Sequence, residues 1–215
     1  MMMNLFSTFD PCSGNLSLNW ISMNLMFLML PLNFWLIPNN NMIMVNKIIY
    51  KIIKELNSNL IYKSSMIMML SIMMTILMNN MMGLIPYVFT SSSHLVFSLA
   101  ISLPLWMSFI MFAIIKKTNK MFCHMLPMGT PMILMPFMVM IETISNLIRP
   151  GSLAVRLSAN MIAGHMIMSL LGKTSGMMLI ILMSMFLLLM MFELAVSIIQ
   201  SYVFMTLTSL YSSEL

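Results

Sequence analysis

The chain is 215 residues long, 60% of them hydrophobic and only 7% charged, with a mean hydropathy of +0.98. Soluble domains carry about a quarter charged residues, so this composition excludes an ordinary soluble domain and indicates an integral membrane protein. The formal net charge of +5 does not indicate nucleic-acid binding, because the lysines lie beside apolar stretches, where they act as topology signals.

The cysteines and the N-terminus carry no functional signature. Cys12 and Cys123 show neither metal-ligand spacing nor a disulfide framework, so we expect no metal site and no cofactor. The first residues, MMMNLFSTFDP, lack the basic and apolar regions of a secretory signal peptide and the Arg-rich character of a transit peptide.

Residues 16–37 are predicted to form the first, upright membrane span. Trp20 and Trp35 lie near its ends, where aromatic residues are typical of the membrane interface, and Pro38 with three asparagines ends it. The stretch is long enough to cross a hydrocarbon core of about 30 Å as a helix. The apolar runs of the chain lack the alternating pattern of outer-membrane barrel strands.

Residues 42–59 follow a different pattern. Lys47, Lys51 and Lys54 fall at i, i+4 and i+7 on one helical face, and isoleucines occupy the other face. This pattern is typical of an amphipathic helix that lies on the membrane surface rather than crossing it.

Two middle spans are predicted at residues 65–88 and 95–115, separated by a short polar turn. Four lysines lie between the first and second spans, three follow the third span, and none lies in the turn. Loops on the cytoplasmic side of a membrane are enriched in lysine and arginine. Both lysine-rich loops are therefore expected on one side of the membrane and the N-terminus on the other.

The remaining apolar stretches, residues 127–172 and 176–212, are too long for upright spans. As helices they would measure roughly 70 Å and 55 Å at 1.5 Å per residue. Pro150 and Gly151 offer a place for the first to bend, and nothing obvious divides the second. We expect a C-terminal hairpin of two long, strongly tilted helices, although the sequence leaves open whether each is continuous.

Polar residues recur at multiples of seven in both predicted long helices. They are Glu142, Arg149 and Arg156 in the first helix, and Glu193, Gln200 and Glu214 in the second. Asn160 lies one turn after Arg156, and His165 points to the opposite side of that helix. An arginine inside an apolar span is costly unless it faces protein or water, and it usually marks an ion or substrate path.

The numbering of these polar residues predicts the register of the hairpin. Facing residues in an antiparallel hairpin have a constant sum of residue numbers, and three pairs meet this condition to within two. The pairs are Arg156 with Gln200, Glu142 with Glu214, and His165 with Glu193. We therefore expect Arg156 and Gln200 at one level, His165 and Glu193 nearer the turn, and the two glutamates at the far end.

The chemistry of these groups favours a proton path in two parts. Carboxyl and imidazole groups take up and release protons when burial and mutual contact tune them. Arg156 stays protonated, so it is expected to attract a carboxylate and to block direct leakage rather than to relay protons. The alternative is a structural role, in which each residue makes an interhelical hydrogen bond worth about 1 kcal/mol.

At these residues the sequence resembles subunit a of the rotary F-type ATP synthases. IRPGSLAVRLSANMIAGH at 148–165 and ELAVSIIQSYVFMTLTSLY at 193–211 are similar to the two signature stretches of that family. The start, NLFSTFDP at 4–11, resembles the animal mitochondrially encoded form. The resemblance covers the whole length in order of spans, with only general similarity in the middle.

The resemblance implies an all-α stator subunit packed against a ring of c subunits, each with a membrane-buried carboxylate. It also implies other Fo stator subunits and lipid as neighbours in the mitochondrial inner membrane. The N-terminus would then lie on the intermembrane-space side, with the lysine loops and the C-terminus on the matrix side.

The resemblance also assigns roles to individual residues. Arg156 matches the essential arginine of the family, and Asn160 and Gln200 match its polar neighbours. The half-channel open to the intermembrane space would include His165 and Glu193. The matrix-side half-channel would include Glu142 and Glu214.

A membrane subunit of a respiratory redox complex and a secondary transporter are the alternative functions. Three scattered histidines argue against haem ligation, and the lack of internal repeats argues against a transporter. A purely structural membrane anchor leaves Arg156 unexplained. The sequence has no phosphate-binding loop, so nucleotide chemistry is expected elsewhere in the complex.

Overall fold

Every regular element is a helix in the ranges that the computed structural model describes, which are 5–12, 16–25, 38–60, 65–85, 88–116, 118–126, 129–173 and 179–214. The α-helices are α1 Asn40–Asn59, α2 Ser65–Gly83, α3 Leu95–Lys116, α4 Thr118–Met125, α5 Met135–Lys173 and α6 Leu179–Glu214. Short 3-10 helices occupy Leu5–Phe9, Leu18–Leu25 and Ser91–Ser93.

Four of the described helices, α2, α3, α5 and α6, are long and apolar enough to cross a membrane. This confirms the prediction of an all-helical, multi-pass membrane protein. α2 packs along α6, α3 packs along α5, and α5 and α6 contact each other. Each of the four contributes to one buried apolar cluster, which consists of Ile76, Leu105, Leu153, Leu157 and Phe204.

The predicted first span at 16–37 is described only in part. Residues 26–37 lie outside the described residues, and Leu18–Leu25 is a 3-10 helix rather than the start of an α-helix. Two of its polar side chains bond to other segments: Asn19 donates to the carbonyl of Asp10 at 3.2 Å, and Ser22 donates to that of Phe89 at 3.2 Å. The stretch is therefore held against neighbouring loops of the protein.

Helix α1 presents its lysines outward and its one leucine, Leu56, inward. Asn39 caps the helix, since its side-chain oxygen accepts the Asn40 N–H at 2.8 Å. Leu56 is 1% exposed and packs with methionines of α2 and α6. The Tyr202 hydroxyl donates to the Glu55 carboxylate at 2.6 Å, which joins α6 to α1.

The connection between α2 and α3 is packed against both α5 and the N-terminal residues. A Cβ added at Gly83 would lie 3.4 Å from side-chain carbons of both Met161 and Thr90, so the chain passes close to α5 here. The rings of Trp20, Phe89 and His94 form an aromatic cluster with centroids 5.2–5.8 Å apart. The N-terminal residues are fixed to this connection as a result.

Helix α4 occupies part of the lysine-rich stretch at 116–120 that was predicted to be a loop. Neither Gly nor Pro occurs between Lys116 and Leu126, so no residue there opposes a helix. Lysine itself is a good helix former, and a run of lysines marks a water-facing segment without making it irregular.

The two long C-terminal helices are each continuous within the described residues. α5 begins at Met135, eight residues after the predicted 127, because Gly129 has a φ of +96° and Pro131 lacks an N–H group. Its 39 residues run through Pro150 and span roughly 58 Å, and the 36 residues of α6 span roughly 54 Å. The turn is predicted at Gly172–Gly176, but Gly172 and Lys173 still belong to α5, and residues 174–178 lie outside the described ranges.

Candidate functional site

Gln200 joins the two long helices at the level of Arg156. Its side-chain N–H donates to the backbone carbonyl of Arg156 at 2.9 Å, and its side-chain oxygen accepts from the Asn160 amide at 2.9 Å. The Gln200 side chain is 6% exposed, so both of its polar groups are satisfied in a buried position. These bonds confirm that Arg156 and Gln200 lie at one level of the hairpin.

Arg156 lies on the outer face of α5. Leu153, Ala154 and Leu157 are at most 6% exposed, whereas Arg156 and Asn160 are exposed. The apolar neighbours of the arginine therefore fill the core while its guanidinium projects away from the chain. A cation on the surface of a membrane span needs a polar or charged partner, or water, beside it.

The carboxyl group of Glu193 lies directly against Gly164. A Cβ added at Gly164 would lie 2.6 Å from Oε1 and 2.7 Å from Cδ of Glu193. Because His165 follows Gly164, the structure brings Glu193 to the level of the histidine, as the register predicts. Within the described ranges, no group of three or more His, Cys, Asp or Glu residues is placed to hold a metal ion.

Glu193 and His165 both have unsatisfied polar atoms. Oε1 of Glu193 and Nε2 of His165 are buried and have no hydrogen-bond partner within the described part of the chain. Buried carboxyl and imidazole groups are usually hydrogen-bonded, and water or a mobile proton carrier commonly fills such gaps. Two proton-exchanging groups therefore lie at the same level of the hairpin, and each has a buried polar atom without a partner among the described residues.

The other predicted acidic pair is only partly described. Glu142 is half-buried on α5, and the side chain of Glu214 lies outside what the structure describes. The nearby guanidinium of Arg149 lies 4.9 Å from the centre of the Tyr211 ring, so these ends of α5 and α6 are close. The meeting of Glu142 with Glu214 remains a prediction.

Two cavities lie at opposite ends of this arrangement. A cavity of about 800 Å³ is lined by His165, by the connection between α2 and α3, and by N-terminal residues that include Asp10. A smaller cavity of about 220 Å³ is lined by Arg149, Tyr211, Asn146 and apolar residues of α3 and α4. Arg156 lies between the two levels along α5 and lines neither cavity.

A buried polar layer was not predicted from the sequence. It adjoins the apolar cluster on the side of His165 and comprises Asn80, Ser98, Ser102, Ser158, Ser197 and Ser201, all at most 4% exposed. Both side-chain amide atoms of Asn80 and the hydroxyl of Ser102 are buried without a partner within the described part of the chain. The signal for this layer was the polar pair Asn79-Asn80 inside an apolar span.

Comparison with known proteins places these features in a family. The family model described as ATP synthase A chain matches residues 16–213. The chain is 51% identical to the Drosophila melanogaster protein named ATP synthase subunit a, 50% to that of Locusta migratoria and 49% to that of Anopheles gambiae. Each alignment covers 100% of this chain and 99% of the relative. The chain belongs to the ATP synthase A chain family.

Proposed function

We propose that the chain is the proton-translocating stator subunit of the membrane Fo sector of an ATP synthase. It couples proton flow to rotation of a ring of c subunits by forming two offset half-channels against that ring. The family match and the names of the insect relatives support this function over a redox-complex subunit or a secondary transporter. Nucleotide chemistry belongs to other subunits of the complex.

The observation that carries the proposal is the placement of Arg156. Its guanidinium is on the outer face of α5, while its backbone carbonyl is tied to Gln200 across the hairpin. Isolated membrane helices do not present a cation to lipid without large cost, so a partner is expected to cover it. A ring of carboxylates passing this face would supply that partner, because arginine pairs strongly with carboxylate groups.

The two half-channels follow from the groups on either side of Arg156. Towards the hairpin turn lie His165, Glu193 and the larger cavity. Towards the other end lie Glu142 and Glu214, near the contact of Arg149 with Tyr211. A proton would reach a ring carboxylate from the first group, travel with the ring, and leave through the second. Arg156 does not release its own proton, so it separates the two routes.

The lengths of α5 and α6 support a tilted arrangement in the membrane. Helices of roughly 54–58 Å exceed a hydrocarbon core of about 30 Å, and such mismatch is accommodated by strong tilt against neighbouring protein. We place an upright span at 16–37, α1 on the membrane surface, α2 and α3 as middle spans, and α5 with α6 as the tilted hairpin.

The resemblance of the start of the chain to the mitochondrially encoded form and the positions of the lysines support a proposed cellular setting. We place the chain in the mitochondrial inner membrane, within a large hetero-oligomer that includes the c ring, other Fo stator subunits and lipid. The lysine loops and the C-terminus face the matrix, and the N-terminus faces the intermembrane space, as the positive-inside bias favours.

Replacement of Arg156 by Ala tests the proposed function. In complexes reconstituted into lipid vesicles, we expect Arg156→Ala to abolish ATP-driven proton pumping, because nothing then meets the ring carboxylate or separates the two routes. Assembly should persist, since the side chain does not contribute to the core. Lys51→Ala, on the outer face of α1, is the control and should pump normally. Full pumping by Arg156→Ala would overturn the proposal.

A further inference from the structure

The larger cavity has a wall made by the N-terminal segment, which we define as residues 5–12 and 16–25. Ser7, Phe9, Asp10 and Ser22 are among the residues of this segment that line the cavity. Among all described residues that line it, Asp10 and His165 alone carry side chains that readily exchange protons. One lies on the N-terminal segment and the other lies on α5.

Asp10 and His165 are close in the fold although they are far apart in sequence. The ring of Phe9 meets the ring of His165 edge-to-face, with centroids 6.3 Å apart, and Asp10 is the next residue after Phe9. Asp10 is exposed, whereas Nε2 of His165 is buried and has no partner within the described ranges. The cavity therefore has a carboxylate at its water-facing side and an imidazole at greater depth.

The position of Asp10 is fixed by bonds from its own segment. Asn19 donates to its backbone carbonyl at 3.2 Å, and its Oδ1 accepts the backbone N–H of Cys12 at 3.1 Å. The segment is in turn attached to the connection between α2 and α3, through the bond of Ser22 to the carbonyl of Phe89. Asp10 is thus held at the cavity wall rather than placed on a free chain end.

We propose that Asp10 is the proton-collecting carboxylate at the mouth of this cavity. A carboxylate at the opening of a cleft raises the local concentration of cations, including hydronium, and so raises the rate at which they enter. Asp10 takes a proton from bulk water, releases it to water within the cavity and returns to the carboxylate, and His165 accepts the proton at greater depth. This role depends on the proposed function of the chain as a proton-translocating subunit.

The other titratable groups near the route are few. Cys12 lies in the same segment, His94 lies in the aromatic cluster with Trp20, and Glu193 lies against Gly164, the residue before His165. The described part of α2 carries no charged side chain. Asp10 is therefore the carboxylate on the described cavity lining through which protons first pass.

Two substitutions separate the charge of Asp10 from its structural bond. Asp10→Asn keeps an Oδ1 acceptor for the Cys12 N–H but removes the proton-binding group. Asp10→Glu keeps the proton-binding group but lengthens the side chain, which disturbs that local bond. The measurement is proton flow into vesicles that hold the intact complex, followed as the pH on the cavity side is raised from acid to alkaline.

We expect Asp10→Asn to reduce proton flow by a factor that grows as the pH rises, because collection limits the rate where protons are scarce. Asp10→Glu should follow the wild-type profile. Equal flow in Asp10→Asn and wild type at every pH would overturn the inference, as would a loss in Asp10→Glu as large as that in Asp10→Asn.

Glu193→Gln separates failure of this inference from failure of the proposed function. If Glu193→Gln blocks flow while Asp10→Asn matches wild type, the collecting role of Asp10 is wrong and the proton route through Glu193 stands. If Glu193→Gln leaves proton flow intact, the proposed function itself is wrong.

Discussion

At Gly164, the absence of a side chain decides where the carboxyl group of Glu193 can lie. An added Cβ would be 2.6 Å from Oε1, a separation that non-bonded carbon and oxygen atoms do not tolerate. Because the clash is with the end of a side chain rather than with backbone, the carboxyl group would move and the helices would keep their packing. Position 164 thus controls the placement of an acid without contributing a polar atom.

We predict that Gly164→Ala lowers proton flow strongly while leaving the complex assembled. The carboxyl group of Glu193 would be displaced from its position against α5. Proton transfer requires groups within about 3 Å of each other or of a shared water, so this displacement would interrupt the route. Proton uptake by vesicles and the yield of intact complex are the two measurements.

Gly172→Ala is the matched control, because an added Cβ there meets nothing within 4 Å. It should pump as wild type does. Wild-type proton flow in Gly164→Ala would show that the position of the Glu193 carboxyl group does not matter to transport.

Some residue positions were predictable from sequence and others were not. The constant sum of residue numbers in the polar pairs predicted that Gln200 lies opposite Arg156. This works because the rise per residue is constant and both helices are continuous within the described residues. Asp10, Gly164 and the amide of Asn80, which has no partner among the described residues, acquire their importance only from contacts between distant segments. A local sequence pattern contains no such information.

At the scale of the elements, the seam between α5 and α6 depends on Gln200 at its centre. Two interhelical hydrogen bonds meet at this side chain, one to the backbone of Arg156 and one to Asn160. Within the described part of the chain, several serines of α6 bond to carbonyls of their own helix, as Ser209 does to that of Thr206 at 2.8 Å. Gln200 is therefore the polar residue that fixes the register of the hairpin near Arg156.

We predict that Gln200→Leu weakens the hairpin by about 1–2 kcal/mol, since it removes two interhelical bonds of about 0.6–1 kcal/mol each. A change of this size lowers the midpoint of heat inactivation of a chain of this length by a few degrees. The measurement is residual ATP-driven proton pumping of the intact complex after heating.

Ser209→Ala serves as the control for the heating experiment, because its hydroxyl is bonded within α6. We expect it to keep the wild-type midpoint. If Gln200→Leu were as heat-resistant as wild type, the register of the hairpin would have to be fixed by apolar packing instead.

The bounds of the elements were less predictable than their types. α5 starts at Met135, later than predicted, because backbone geometry at Gly129 and Pro131 delays the helix. α4 forms in a lysine-rich stretch because lysine permits a helix as readily as a loop. Composition indicates which segments face water and which face lipid. It does not indicate at which residue the hydrogen bonding of a helix begins.

At the scale of the whole molecule, the described chain leaves one face of a membrane helix exposed. The inner faces of α2, α3, α5 and α6 share one apolar cluster, while a row of exposed residues on α5 includes Arg156, Asn160 and Ala163. Apolar composition predicted the membrane class, and the resemblance predicted the family. We propose that a carboxylate-bearing ring covers this row.

The most direct test is a photocrosslink from the row to its neighbour. A benzoylphenylalanine replaces Ala163, seven residues after Arg156 on the same face, and a second variant carries it at Ile48, which is 57% exposed on α1. After illumination of the intact complex, we predict that mass spectrometry finds the Ala163 variant joined to a small proteolipid with an acidic residue in its span. The Ile48 variant should lack that adduct. Adducts of the Ala163 variant with lipid or other stator subunits alone would contradict the account.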